Sequence, residues 1–296
     1  MQNRTVLCRR LGRGEVTDWL SLPRDEPKVP GDDARLTWFV RLPKSICYVS
    51  SIGERRIGGS IIYHNDVLHD LALVSVRLDP EFRKSLLYQL IKSSLPWFRS
   101  QSIESVTALV NPEKNEHILP FPLRSGIPSW ANESLKDIGF EKASTLNHFV
   151  FPDIEMKDHL KTEEYKITTD RTHGGTFSPP STENRHLVHT HIVPMISLSP
   201  DVATFHVISS DSQVVATGQV LRIEGRIILG PIEWQEDEIN VEILAQEVLA
   251  YVSQKELENL ELAMITPDQR AFIQSIEGQV NTQPERNEYT IFRKEL

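Results

Sequence analysis

A chain of 296 residues exceeds the roughly 100 to 200 residues of one compact domain, and 39% hydrophobic with 25% charged residues describes an ordinary folded protein. A formal net charge of -9 argues against nucleic acid as a partner, because binding a phosphate backbone needs a dense positive surface. With no apolar run of about 18 residues and no secretory signal at the start, neither a membrane partner nor export is expected. Cys8 and Cys47, too few and too far apart for a disulfide framework, read as structural thiols of a cytoplasmic protein.

In chain order, Ile46 to Ser51 and Arg56 to Tyr63 are β-rich runs around Ile52-Gly53-Glu54, the pattern of a hairpin. Leu71 to Leu78 predicts a further strand. After Asp79-Pro80, the spacing of Leu86, Leu87, Leu90, Ile91 and Leu95 predicts a helix, and Ser105 to Val110 a buried strand. The order is strand, helix, parallel strand. Lys157 to Asn184 is polar, without helical or strand periodicity, and reads as a linker.

Beyond it the first pattern returns. The string beginning at Val49 is matched by that beginning at Ile208, Gly58 by Gly218, and Pro112 by Pro267, about 160 residues on. A helix with Val241, Leu244, Ala245, Val248 and Leu249 stands where the one after Pro80 stood. One supersecondary unit used twice gives domains at 1–156 and 185–296, joined by 157–184. The run His186 to His191 could place His189 and His191 on one strand face, but no acid or cysteine lies near, and no metal is expected. His173-Gly174-Gly175-Thr176 is a common linker string. Trp97, Phe98 and Trp130 read as core packing.

Three stretches of the first half together resemble the GNAT acetyltransferase superfamily, over about residues 5 to 152. They are Asp79-Pro80-Glu81-Phe82-Arg83 at the strand-to-helix turn, Asn111 after the next strand, and Ile138-Gly139-Phe140-Glu141. The resemblance implies an α/β fold, an α+β mixed sheet built as two tandem GNAT-like acyl-CoA acyltransferase folds. It also implies acetyl-CoA or another acyl-CoA as cosubstrate, its pantetheine arm lying between two diverging strands against the backbone of Val76 and Leu78. Asn111 would touch that arm or an ordered water, and Arg83, Lys84 and Ser85 would hold the pyrophosphate. The acceptor would be an amine, on a small molecule or a protein.

The physics agrees in part. A helix that follows a strand directly points unpaired N–H groups and a positive dipole end at the turn. The family's arginine-x-x-glycine-x-glycine spacing is absent, with Ser85 and Leu87 nearest the glycine positions, and Leu135 stands where a proton-donating tyrosine is common. Asp70 and His69, at the start of a strand, are the candidate bases; their alternative is a solvated strand end. In the second half Glu236, Asp237 and Glu238 occupy the corresponding turn, where they would repel a phosphate. Two readings follow: an acyl-CoA-dependent N-acyltransferase, or a non-catalytic binding module with an eroded site. They separate on whether the gap between strands ending near Leu78 and Val110 is open or filled, Leu86 and Leu87 being the expected plugs. A homodimer is compatible with either.

Overall fold

In the computed structural model, residues 5–23, 37, 40–42, 44–65, 70–111, 127–154, 164–170, 202–223, 226–254 and 259–296 are described. The first strands are β1 (Val6–Arg10), β2 (Ser45–Ile52), β3 (Arg55–Asn65), β4 (Asp70–Leu78), β5 (Ser105–Val110) and β6 (Glu141–Phe151). The later ones are β7 (Tyr165–Asp170), β8 (Val202–Ser209), β9 (Val214–Ile223), β10 (Arg226–Trp234), β11 (Leu260–Ile265) and β12 (Glu285–Glu295). The helices are α1 (Arg83–Ser100), α2 (Asn132–Asp137), α3 (Val241–Ser253) and α4 (Arg270–Gln279). None of the described helices is long and apolar enough to cross a membrane.

The chain forms two compact units. Of the described residues, the first takes those up to Thr145 together with Tyr289–Leu296, and the second takes those from Leu146 to Glu288. In the first, strands run in the order β1-β2-β3-β4-β5-β12, all antiparallel except β4 and β5. The predicted hairpin is β2 and β3, turning through Gly53 at φ +57°. All six residues of β5 are buried, as expected of a strand paired on both edges. Leu86, Leu87, Leu90 and Ile91 place one stripe of α1 on the sheet with Leu71, Leu73, Val106 and Ala108. Each such buried side chain contributes about 1.5–3 kcal/mol, against the conformational entropy of ordering it.

The second unit repeats the plan as β6-β11-β10-β9-β8-β7, with β10 and β11 parallel. Its core packs α3 and α4 on one sheet face, through Leu244, Val248, Phe272 and Ile276 against Leu229, Leu260 and Leu262. The two expected equivalents, Gly58 and Gly218, do the same work. A side chain at either would overlap a large neighbour on the adjacent strand, Leu78 in one case and Phe205 in the other.

One reading is corrected. Tyr165–Asp170, inside the stretch taken for a linker, is strand β7 paired antiparallel with β8. Tyr165 and Ile167, two residues apart, pack on the second core, and this short alternation is the strand signal that the polar flanks mask. Residues 157–163 and 171–184, His173 among them, and His189 and His191 lie outside the described residues.

Cys47 is buried on β2, and desolvation pushes its thiol up to about 12; burial also raises Cys8. The thiolate is the reactive form. At pH 8 the native protein should therefore leave Cys47 unmodified by an aromatic disulfide reagent, and denaturant should release both thiols. Two fast thiols in the native state would contradict this packing.

Candidate functional site

In the first unit, the parallel ladder joins Asp70, Leu71, Ala72 and Leu73 to Ser105, Val106, Thr107 and Ala108, and ends there. β4 continues five residues further, to Leu78. At the point of parting, the register of β3 with β4 shifts, Ile61 facing Ser75 and Ile62 facing Leu73, so that Val74 is an extra residue in β4. A bulge bends and twists its strand. The bend separates β4 from β5, and two diverging strands present backbone groups to whatever lies between them.

Those groups are not all open to a ligand. Ile127 forms a parallel bridge with Val110: its N–H donates to the Leu109 carbonyl at 2.8 Å, and its carbonyl accepts from the Asn111 N–H at 2.9 Å. Because Val110 pairs with Thr290 of β12 on its other edge, Ile127 sits on the edge that faces β4. Ile127 is fully buried, in one cluster with Val76, Leu78, Val110 and Leu135. Leu86 and Leu87, the expected plugs, lie in the same cluster, but the backbone on the β5 edge is that of Ile127. A single-residue bridge has no periodicity, so no sequence signal marked it.

The helix end of the cleft is preorganised in a way the sequence did not reveal. Asp79 caps it, its carboxylate accepting from the Glu81 N–H at 3.1 Å and pairing with Arg55. Glu81 lies 3.8 Å from Arg55, whose guanidinium stands 5.8 Å from the Phe82 ring. Arg83, Lys84 and Ser85 do not form a loop; they open α1, directly after a 3-10 turn at Pro80–Phe82. The Arg83 guanidinium lies 5.3 Å from the ring of Trp130, which draws Arg83 toward the segment just after Ile127. An anion arriving here would meet Arg83 but compete with Asp79 for the first amides.

The structure thus brings Val76, Leu78, Asn111 and Arg83 to one end of the first unit, with the Asn111 side chain buried. Asp70 opens β4 three residues ahead of the last paired position, about 10 Å along the strand. Its side chain and all of His69, like the side chains of Lys84 and Ser85, lie outside the described residues. Leu135 is fully buried on α2, and Gly139, at φ +94°, turns the chain into β6. The pantetheine arm fits the β4 edge chemically, since secondary amides can pair with strand backbone; the capped helix end fits a pyrophosphate less well.

In the second unit the ladder of β10 with β11 likewise ends, at Leu229 and Leu262, followed at once by a bulge at Gly230-Pro231 facing Gln219. Here β11 bulges too, at Ala263-Met264 opposite His148, with Met264 at φ +60°. The Gln269 side chain bridges the parting strands: its oxygen accepts from the Thr266 N–H at 3.1 Å and its amide donates to the Ile232 carbonyl. Asn240 caps α3 at 2.7 Å, beside the exposed Glu236, Asp237 and Glu238. Among the described residues no group of three or more His, Cys, Asp or Glu could hold a metal ion.

No protein-family model matches the sequence, and no curated relative does. Solved structures do. A tandem GNAT protein from the clavulanic acid biosynthesis pathway matches with a TM-score of 0.65 and 12% identity, over 98% of this chain and 98% of that one. A GCN5-related N-acetyltransferase from Sphaerobacter thermophilus matches with a TM-score of 0.56 and 14% identity, over 100% and 96%. The glucosamine N-acetyltransferase region of a fungal multi-domain β-N-acetylglucosaminidase matches at 0.62 and 10%, over 99% of this chain and 38% of that one. The chain has the tandem GNAT fold.

Proposed function

We propose that the first unit binds an acyl-CoA and transfers its acyl group to an amine. The observation that carries this reading is the end of the β4–β5 ladder at Leu73 and Ala108, with the Val74 bulge beside it and β4 running on to Leu78. Acyl-CoA would supply the activated carbonyl. The backbone at Val76 and Leu78 would pair with the amides of its arm, Asn111 would orient the arm or a water, and Arg83 with Lys84 would meet the phosphates. The reaction needs a base to take the proton from the attacking amine, and Asp70 with His69 are the candidates. Leu135 cannot protonate the departing thiolate, so that proton comes from water. Acceptor specificity belongs to the side chains around the cleft, and the fold does not supply it.

The second unit has no such role in this reading. Gln269 spans the gap that a ligand would need, and three carboxylates stand at the start of α3. One acyl-CoA per chain is expected. A second reading, a non-catalytic binding module, is favoured by the Ile127 bridge on the β5 edge.

Calorimetric titration with acetyl-CoA tests this. Binding near one per chain is expected, weakened about ten- to a hundredfold in an Arg83→Ala, Lys84→Ala variant, the scale of losing a charge-assisted hydrogen bond. Asp70→Asn should then bind acetyl-CoA normally and lose turnover in a screen of amines. No binding by the folded wild type, even at millimolar acetyl-CoA, would remove the acyltransferase reading.

A further inference from the structure

The Ile127 bridge is a short piece of backbone in a place where the fold has just made room. It lies on the β4-facing edge of β5, at Val110, two residues beyond the end of the ladder, and takes the Leu109 carbonyl and the Asn111 N–H. An acyl-CoA arm paired with the β4 edge at Val76 and Leu78 would enter the same gap, in which these two bonds hold Ile127. Its side chain is fully buried in one cluster with Val76, Leu78 and Val110 and takes up room there. Ligand and Ile127 therefore exclude one another.

The hold is small in extent. Two backbone hydrogen bonds join Ile127 to β5, and the next residue is Pro128, which has no N–H to offer the opposite side, toward β4. The segment fills the opening without extending the sheet across it. Directly after Pro128, Ser129–Ala131 forms a 3-10 turn that carries Trp130, stacked with Arg83 at the start of α1. Lifting Ile127 from the β5 edge would disturb the partner of the arginine that is placed to meet an anion. The two ends of the cleft share one segment.

We infer that Ile127 is a built-in competitor: in the ligand-free chain it occupies the β5 edge, and acyl-CoA enters only when Ile127 leaves. This rests on the acyl-CoA reading of the same cleft. Its consequence is quantitative. The apparent dissociation constant is the intrinsic one divided by the fraction of chains in which Ile127 is out, so loosening Ile127 tightens binding. A residue that merely supported the site would do the opposite.

The test compares wild type with Ile127→Ala, which removes the buried side chain, and Ile127→Val, a milder change that keeps the fold if alanine does not. Acetyl-CoA affinity is measured by calorimetry, and hydrogen exchange of the Asn111 amide is followed in the ligand-free full-length protein. Faster Asn111 exchange together with affinity raised about tenfold by Ile127→Ala, and by a smaller factor in Ile127→Val, is the expected result. Faster exchange with unchanged or weaker affinity would overturn the competitor while leaving the acyl-CoA reading intact. No binding by the wild type or either variant at millimolar acetyl-CoA would overturn both.

Discussion

Alanine at Gly230 is expected to unfold the second unit under conditions in which the wild type is intact. Gly230 has φ +136°, a region L-residues avoid, and a methyl there would be driven into the carbonyl of Ala263, whose carbon would lie 2.8 Å away and its nitrogen 3.1 Å away. Ala263 is fully buried and cannot easily move aside. The strained backbone costs about 1–3 kcal/mol and the overpacking a further 1–3 kcal/mol. A sum of about 2–6 kcal/mol is a large part of what holds a typical domain together. Gly53→Ala is the control: its φ is +57°, but nothing lies within 4 Å of the new methyl, so its cost should be about 1 kcal/mol. Urea unfolding of both variants decides the matter. Equal midpoints would mean that β10 and β11 do not press together past Leu229, and the second cleft would then be open to a ligand after all. Val74 stands at the matching place in the first unit, and the contrast is chemical. A β-branched residue fits a bulge at which the strands part, whereas the closed counterpart admits only glycine.

How much of this was legible in the sequence follows from what periodicity can carry. The hairpin, the buried strand at 105–110, the helix stripe of Leu86, Leu87, Leu90 and Ile91, and the repetition of all of them after residue 200 are local patterns, each set by one face meeting a core. The fold could be read from them. β7 was not read, since two apolar residues in a polar stretch give too short an alternation. That Tyr289–Leu296 completes the first sheet beside β5 is a long-range pairing with no local signal. At the cleft, Val76, Leu78, Asn111 and Arg83 could be named through the family resemblance, since they match its positions in a strand–helix–strand unit. Ile127, Gln269 and the Arg55–Asp79 pair could not. Each acts through a partner far along the chain: Ile127 through Leu109, Gln269 through Ile232, Arg55 through Asp79. Nothing in composition or spacing distinguishes this isoleucine from a core isoleucine.

The other large effect is expected at His148 and Glu261, a pair neither motif nor period suggested. His148 of β6 and Glu261 of β11 are fully buried, with Nε2 2.9 Å from Oε2. Their neighbours Phe149, Phe151, Leu260 and Leu262 face the helices, so by alternation the pair lies on the opposite face of that sheet. Removing one partner leaves a buried polar group without its main compensation, and His148→Ala or Glu261→Ala should each cost about 3–5 kcal/mol. Replacing both, by His148→Phe with Glu261→Leu, should cost far less than the two single changes together, because the desolvation cost is relieved along with the attraction. A double-mutant cycle by urea unfolding measures that coupling. Additive losses would mean that the two residues are held by other neighbours rather than by each other. The pair also stands immediately before the β11 bulge at Ala263-Met264, which faces His148 itself. A one-residue slip of β11 would carry Glu261 onto the apolar face among Phe272 and Ile276, at a cost no apolar residue would impose. On this argument the double variant keeps its stability and loses its register. Slowed or heterogeneous refolding in a protein of near-normal midpoint is the expected sign, and clean wild-type refolding would reduce the pair to an exchange of one buried contact for another.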